Sequence, residues 1–230
     1  MSVPVRSALV LGASRGLGLA LVHELARRGW AVTATVRAPS HALEASVAAS
    51  AGRVRSATVD ITDTAQVAAL RQHLSRDRFD LLFVNAGINR SAGAVTEATT
   101  EEFIEVMTTN ALAPLRTIEA LRDLVVPGGT VGVMSSEQGS ISRNDEPGFE
   151  VYKASKAALN QLMRSYATRH AHDDHTKLLI DPGHNQTDLG GADAPLSPAT
   201  SMPLVADVIE STAGQVGLQF LDRDGAPVPW

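Results

Sequence analysis

The 230-residue sequence predicts an α/β fold: a doubly wound parallel sheet of about seven strands, flanked by helices, in a single domain. Three observations lead there. Short β-rich apolar runs alternate with longer helical patterns along the whole chain, the sequence form of successive βαβ units. Most runs are apolar throughout, as strands covered on both faces must be. The first run leads directly into a glycine-rich turn and an amphipathic helix.

The strands read as 7–11, 31–36, 54–59, 80–84, 130–134, 177–180 and 218–221, and the helices as 16–28, 41–50, 64–76, 101–124, 151–170 and 204–213. Asp63 ahead of the third helix and Gly29 behind the first supply start and stop signals. No linker, low-complexity tract or composition shift divides residues 1–230. The one long irregular stretch is 181–203, with tandem glycines and several prolines. It follows a strand, and doubly wound folds bind ligands beyond the carboxyl ends of their strands, so it reads as a lid or binding loop.

Composition excludes several classes of function. Twenty-five acidic residues against twenty basic ones, with no basic tract, argue against nucleic acid and anionic membrane surfaces as partners. No apolar run approaches the roughly 20 residues that span a bilayer. The absence of cysteine removes disulfide frameworks, thiolate metal sites and cysteine nucleophiles, and suits a reducing, cytoplasmic setting. Aromatic residues are only 4% of the chain, so Ala, Val, Leu and Ile must build the core. His170, His172 and His175, with Asp173 and Asp174, resemble a ligand cluster, but they follow the end of a predicted helix. They read as a solvated helix end, and no metal is expected.

The glycine turn runs Gly12-Ala13-Ser14-Arg15-Gly16-Leu17-Gly18. Gly12 permits a tight turn, Gly16 lets backbone approach a pyrophosphate, and Gly18 brings the helix close to the sheet, with free amides and the positive dipole end facing the anion. The turn therefore predicts a Rossmann-like dinucleotide site. The second strand ends Thr35-Val36-Arg37, with no acid to accept from a ribose 2′-hydroxyl. Arg37 and Arg15 offer positive charge for a 2′-phosphate, which favours NADP over NAD. Asp60, with Ile61 beside it, closes the third strand, where its carboxylate can accept from an adenine amino group or simply cap a turn.

Tyr152 and Lys156 stand four residues apart, on one face of a helix. A phenol of pKa about 10 exchanges protons poorly at neutral pH, and a nearby cation would make it more useful. Ser136 closes the fifth strand at the same sheet edge as the glycine turn, where its hydroxyl can bond a substrate carbonyl. Asn110 lies four residues before Pro114, which has no N–H, so the Asn110 carbonyl loses its helical donor and invites an ordered water.

Together these residues resemble the short-chain dehydrogenase/reductases over essentially the whole chain. The ordered motifs are Gly12 to Gly18, Asn85-Ala86-Gly87, Asn110, Ser136, Tyr152-x-x-x-Lys156 and Asp181-Pro182-Gly183 with Thr187. The resemblance implies that Tyr152 donates or accepts the proton, that Lys156 binds the nicotinamide ribose and lowers the tyrosine pKa, that Ser136 orients the carbonyl and that Asn110 holds a relay water. It further implies that Asn85, Ala86 and Gly87 support the sheet and the adenosine ribose, and that Pro182, Gly183 and Thr187 contact the nicotinamide end. The segments 134–141 and 187–191 and the C-terminal residues are similar to the C-factor and sniffer-like carbonyl reductases. That similarity implies an NADP-dependent oxidoreductase acting on a ketone, aldehyde or alcohol, and a homodimer. A C-factor-type nucleotide-binding signalling protein with little or no turnover is the alternative. Two departures from the family pattern stand out: polar His184-Asn185 after the Pro-Gly, and a long interval between Ser136 and Tyr152.

Overall fold

The computed structural model describes residues 5–230. Within them seven strands form one parallel sheet in the order β3-β2-β1-β4-β5-β6-β7: β1 (Ser7–Leu11), β2 (Ala31–Val36), β3 (Val54–Thr58), β4 (Phe79–Val84), β5 (Val125–Met134), β6 (Thr176–Asp181) and β7 (Gly217–Asp222). The order reverses between β1 and β4, and that switch opens a crevice at their carboxyl ends.

The helices are α1 (Gly16–Arg27), α2 (His41–Ala49), α3 (Thr64–His73), α4 (Thr100–Met107), α5 (Ala113–Leu121), α6 (Glu150–Arg169) and α7 (Pro198–Thr212). Each strand of the interior sends alternate side chains to two cores. Leu9 and Leu11 of β1 join α3, α5 and α6 residues such as Leu70, Ile118 and Leu159. Ala8 and Val10 join Leu21, Leu25, Leu43 and Val205 from α1, α2 and α7 on the other face. No helix among the described residues is long and apolar enough to cross a membrane.

Four expectations needed correction. The single helix expected over 101–124 is two helices joined by a π-helical turn, Thr108–Leu112, because Pro114 cannot donate to the Asn110 carbonyl. β5 starts at Val125, five residues early, since Val125 still pairs with Phe79 before the register shifts at Gly128-Gly129. α7 starts at Pro198 rather than after Pro203. The Ser197 hydroxyl caps it, Pro198 occupies its first position, and Pro203 sits inside it. Finally, the histidine cluster is not a solvated end. His172 is exposed, but His175 is 8% exposed where the chain turns under into β6, and the His170 ring packs at a tilt against Tyr166 with ring centroids 4.6 Å apart.

Candidate active site

A cleft of about 560 Å³ lies at the carboxyl edge of β1, β4, β5 and β6. It is lined by nearly every residue singled out from the sequence. Gly12, Ser14, Arg15, Gly16, Leu17, Arg37, Asp60, Ile61, Asn85, Ala86 and Gly87 border one half, and Ser136, Tyr152, Lys156, Pro182, Gly183 and Thr187 the other. Gly18 and Asn110 stand behind this wall and support it.

The glycine turn is compact for a steric reason. A Cβ on Gly12 would lie 2.8 Å from the Ala86 backbone, and one on Gly18 would lie 2.1 Å from the Gly12 carbonyl and 2.6 Å from the Asn85 amide. Only bare backbone permits α1 to start this close to β1 and β4. The Asn85 side chain donates to the Gly12 carbonyl at 2.9 Å and locks the turn to the β4 end. The N-terminus of α1 has no side-chain cap and no acid in its first turn. Its amides and dipole are thus left for an external anion, and a dinucleotide pyrophosphate fits that cradle.

At the ribose end Arg37 is exposed beyond β2, while Arg15 spans the cleft to Asp188 at 2.5 Å, a pair exposed on both sides. Asp60 turns one carboxylate oxygen back to Thr62, accepting from its amide at 2.9 Å and its hydroxyl at 2.7 Å, yet still borders the cleft. The turn-capping reading of Asp60 is thus observed, in a residue that lies on the cleft.

On the reactive side α6 carries Tyr152 and Lys156 on one face, with the ammonium 5.7 Å from the phenol ring centroid. Lys156 Nζ donates to the Met134 carbonyl at 3.0 Å and is 3% exposed. Burial holds Lys156 down to about 8, although the Asp181 carboxylate pulls it upward. Burial also pushes the Tyr152 phenol well above its ordinary value, and a hydrogen bond with Ser136 opposes that rise. Without ligand, desolvation outweighs any lowering of the phenol by Lys156. Asp181, itself raised by burial, acts on both groups, and its charge was not anticipated from the sequence.

Asn110 is fully buried in the π turn. Its Oδ1 accepts from the Ile88 amide at 2.8 Å, and its Nδ2 donates to the Ile88 carbonyl at 2.7 Å and to Ser155 Oγ at 2.9 Å. A Cβ on Gly87 would lie 3.5 Å from Asn110 Oδ1 and 3.6 Å from Lys156 Nζ, which puts both groups close to this glycine.

Between β6 and α7 the chain folds into a strap rather than an irregular loop. Asn185 and Leu196 form a bridge at its base, with Gln186 donating to the Leu196 carbonyl at 2.8 Å. The two polar residues after the Pro-Gly serve the strap itself. Buried Asn185 donates to the Pro182 and Gly183 carbonyls and accepts from Ser201, and the His184 ring bonds the Gly190 carbonyl at 2.7 Å. Sequence reasoning also missed Ile88, Phe149, Asp188 and Leu189, all on the cleft. Their side chains carry no motif; only their place beside motif residues could have signalled them.

Comparison with known proteins agrees with this geometry. The short chain dehydrogenase family model matches residues 6–195. The chain belongs to the short-chain dehydrogenase/reductase family. This short-chain dehydrogenase/reductase shares 46% identity with a putative family member from Burkholderia multivorans solved with bound NADP, which covers 99% of this chain and 100% of its own at a TM-score of 0.96. A carbonyl reductase from Pseudomonas aeruginosa in complex with NADP is 35% identical over 99% of this chain and 100% of its own, with a TM-score of 0.92. The C-signal protein of Myxococcus xanthus is 33% identical over 66% of this chain and 92% of its own.

Proposed function

We propose that the protein is an NADP-dependent reductase of ketones or aldehydes, running equally in the alcohol-oxidising direction, with Tyr152 as its acid and base. The convergence of Ser136, Tyr152 and Lys156 at one end of the cleft carries this reading. NADPH, when bound, supplies the hydride. The amides of Gly16, Leu17 and Gly18 would hold its pyrophosphate, with Ser14 and Asn85 to Gly87 along the adenosine side, Asp60 and Ile61 at the adenine, and Pro182, Gly183 and Thr187 at the nicotinamide. Arg37, together with Arg15 when released from Asp188, would bind the 2′-phosphate by charge-assisted hydrogen bonds, giving NADPH its preference over NADH.

Ser136 donates to the substrate carbonyl oxygen and Tyr152 delivers the proton to it. Burial keeps the phenol protonated at neutral pH, the form a proton donor needs. Lys156 anchors the nicotinamide ribose and supplies positive charge beside the phenol, and Asn110 fixes the helix turn behind them. Two copies of the chain pair through the side-by-side helices α4 and α6, where Phe103, Ile104, Leu112 and Leu162 are exposed, an arrangement light scattering checks directly.

The test is Tyr152→Phe. The variant should bind NADPH like the parent and reduce a panel of ketones, aldehydes and quinones at least about a hundredfold more slowly; an unchanged rate refutes the assignment. Binding of NADPH by the parent with no oxidation across the panel would favour a signalling protein, as the C-signal relative suggests.

A further inference from the structure

Phe149 holds a backbone conformation that its own side chain disfavours. It stands immediately before α6 at φ 53° and ψ 27°, in the left-handed region. A bulky residue there is an outlier, and such strain persists only where the surroundings over-determine it. They do so here. The Phe149 amide donates to the Ala92 carbonyl at 2.9 Å and its carbonyl accepts from the Lys153 amide at 2.8 Å. Glu150 accepts from the Val95 amide at 2.9 Å, and Lys153 Nζ donates to Asn144 Oδ1 at 2.8 Å. The unusually long interval between Ser136 and Tyr152 is thereby fastened on one side to the loop after β4 and on the other to the first turn of α6.

Glycine would adopt this conformation freely, as Gly148 does just before it at φ 87°. A strained phenylalanine in its place calls for a use of the ring. That ring is 38% exposed and borders the cleft one turn before Tyr152. Among the described residues, Phe149 and Leu189 of the strap are the only large, exposed apolar side chains that line the cleft. Ile88, half-buried, continues the same apolar surface. An exposed aromatic face beside a proton donor suits a flat apolar group carried next to the reacting carbonyl.

We infer that Phe149 is the specificity-determining wall of the substrate half of the cleft, and that it selects carbonyl compounds whose carbonyl is attached to an aromatic ring. This rests on the reductase reading above. Stacking on Phe149 holds the aryl group while Ser136 and Tyr152 address the oxygen, and the left-handed backbone sets the direction of the ring. The same residue should therefore cost stability and contribute selectivity, two effects of opposite sign.

The experiment compares the parent with Phe149→Gly and Phe149→Leu, using an aryl ketone such as acetophenone and a small aliphatic ketone such as butanone, both with saturating NADPH. Phe149→Gly should lower the aryl-to-aliphatic ratio of kcat/KM about tenfold, chiefly through KM for the aryl substrate. NADPH binding should not change, and the melting temperature should stay level or rise as the strain is relieved. Phe149→Leu, which keeps the strain and the apolar bulk, should lose a smaller part of the ratio without gaining stability. An unchanged ratio, or a melting temperature that falls together with both activities, overturns the inference. If the parent binds NADPH but reduces neither these ketones nor any member of the carbonyl panel above, the reductase reading fails. Saturation-transfer NMR of acetophenone on the NADP-loaded protein then still decides the wall: loss of signal in Phe149→Gly supports it and equal signals refute it.

Discussion

Replacing Lys156 by methionine should stabilise the cofactor-free protein at neutral pH while removing the group proposed to anchor the nicotinamide ribose. The ammonium is 3% exposed and burial takes its pKa from 10.5 to about 8. At 1.36 kcal/mol per unit, keeping it charged in the folded state costs about 3 kcal/mol. Methionine removes that cost, but leaves the Met134 carbonyl without the 3.0 Å donor it now has, a loss of about 1–2 kcal/mol. The net gain is about 1–2 kcal/mol, or roughly 2–8 °C in melting temperature for a chain of this length. The pH dependence is more diagnostic than the size. Because the folded pKa is the lower one, below pH 8 both states of the parent carry the proton and the whole penalty is present. Between 8 and 10.5 the unfolded state binds more protons, so the parent gains stability as pH rises. Lys156→Met lacks this gain, and its advantage should shrink and reverse between pH 7 and pH 9.5. Thermal or urea unfolding of both proteins at those two pH values, without nucleotide, measures it. A variant less stable than the parent by the same amount at both pH values would refute the reasoning. With NADPH at about a hundred times its Kd the parent should gain about 2.7 kcal/mol, and the variant far less.

Three further outcomes follow from contacts already described. Gly18→Ala sets a methyl against the Gly12 carbonyl, where only backbone can yield; it should destabilise by about 3 kcal/mol and abolish NADPH binding, as unfolding curves and fluorescence titration would show. Arg37→Ala should weaken NADPH about tenfold or more while leaving NADH within about twofold; equal losses for both nucleotides would remove Arg37 from the 2′-phosphate. Asn185→Ala strands the Ser201 hydroxyl and two carbonyls at the strap base, so it should cost about 2–3 kcal/mol and raise strap exchange in hydrogen–deuterium measurements, and an unchanged exchange rate would show that the strap is held elsewhere.

The elements were legible wherever local physics decides them. The buried strands of the sheet are continuous apolar runs, and Asp63 caps α3 through Ala65 and Gln66 as its residue type suggests. β3 was readable only through its neighbours, since as an edge strand it exposes Arg55, Ser56 and Thr58. Errors arose where two local rules compete. Proline reads as a helix breaker, yet Pro203 lies inside α7, where Ser197 and Pro198 had already started the helix. His175 reads as a surface residue because it follows a helix end, yet the turn into β6 buries it. The strap could not be foreseen because it is held by side chains bonded to carbonyls at irregular separations and by backbone bonds joining His184 and Gln186 to Leu196, and such pairings have no period. For the same reason the left-handed conformation of Phe149 has no sequence signal: the residue that usually announces it, glycine, stands one place earlier.

Asn110 shows how one local fault in a helix organises the site. Pro114 withholds a single N–H, and the helix responds with a π turn at residues 108–112. The turn points a buried amide at two elements at once. Through Ile88 it fixes the backbone that follows Gly87. Through Ser155, whose hydroxyl donates at 2.7 Å to the Tyr152 carbonyl, it reaches the first turn of α6. The position of the phenol is therefore tied to the β4 loop through one asparagine and one serine, both fully buried. Such a link costs little in a folded chain because every donor and acceptor in it is satisfied, and it resists displacement because each bond lost would leave a buried polar group unpaired. Ser136 follows a separate element, β5, and the segment just past that strand is held by the Ser135 hydroxyl donating to Asn160 of α6 at 2.6 Å. Two buried side-chain bonds thus hold α6, one at Ser155 and one at Asn160. Lys156 lies between these two points and Tyr152 one turn before the first, its carbonyl bonded by Ser155, so the spacing of the two groups is set by the held helix.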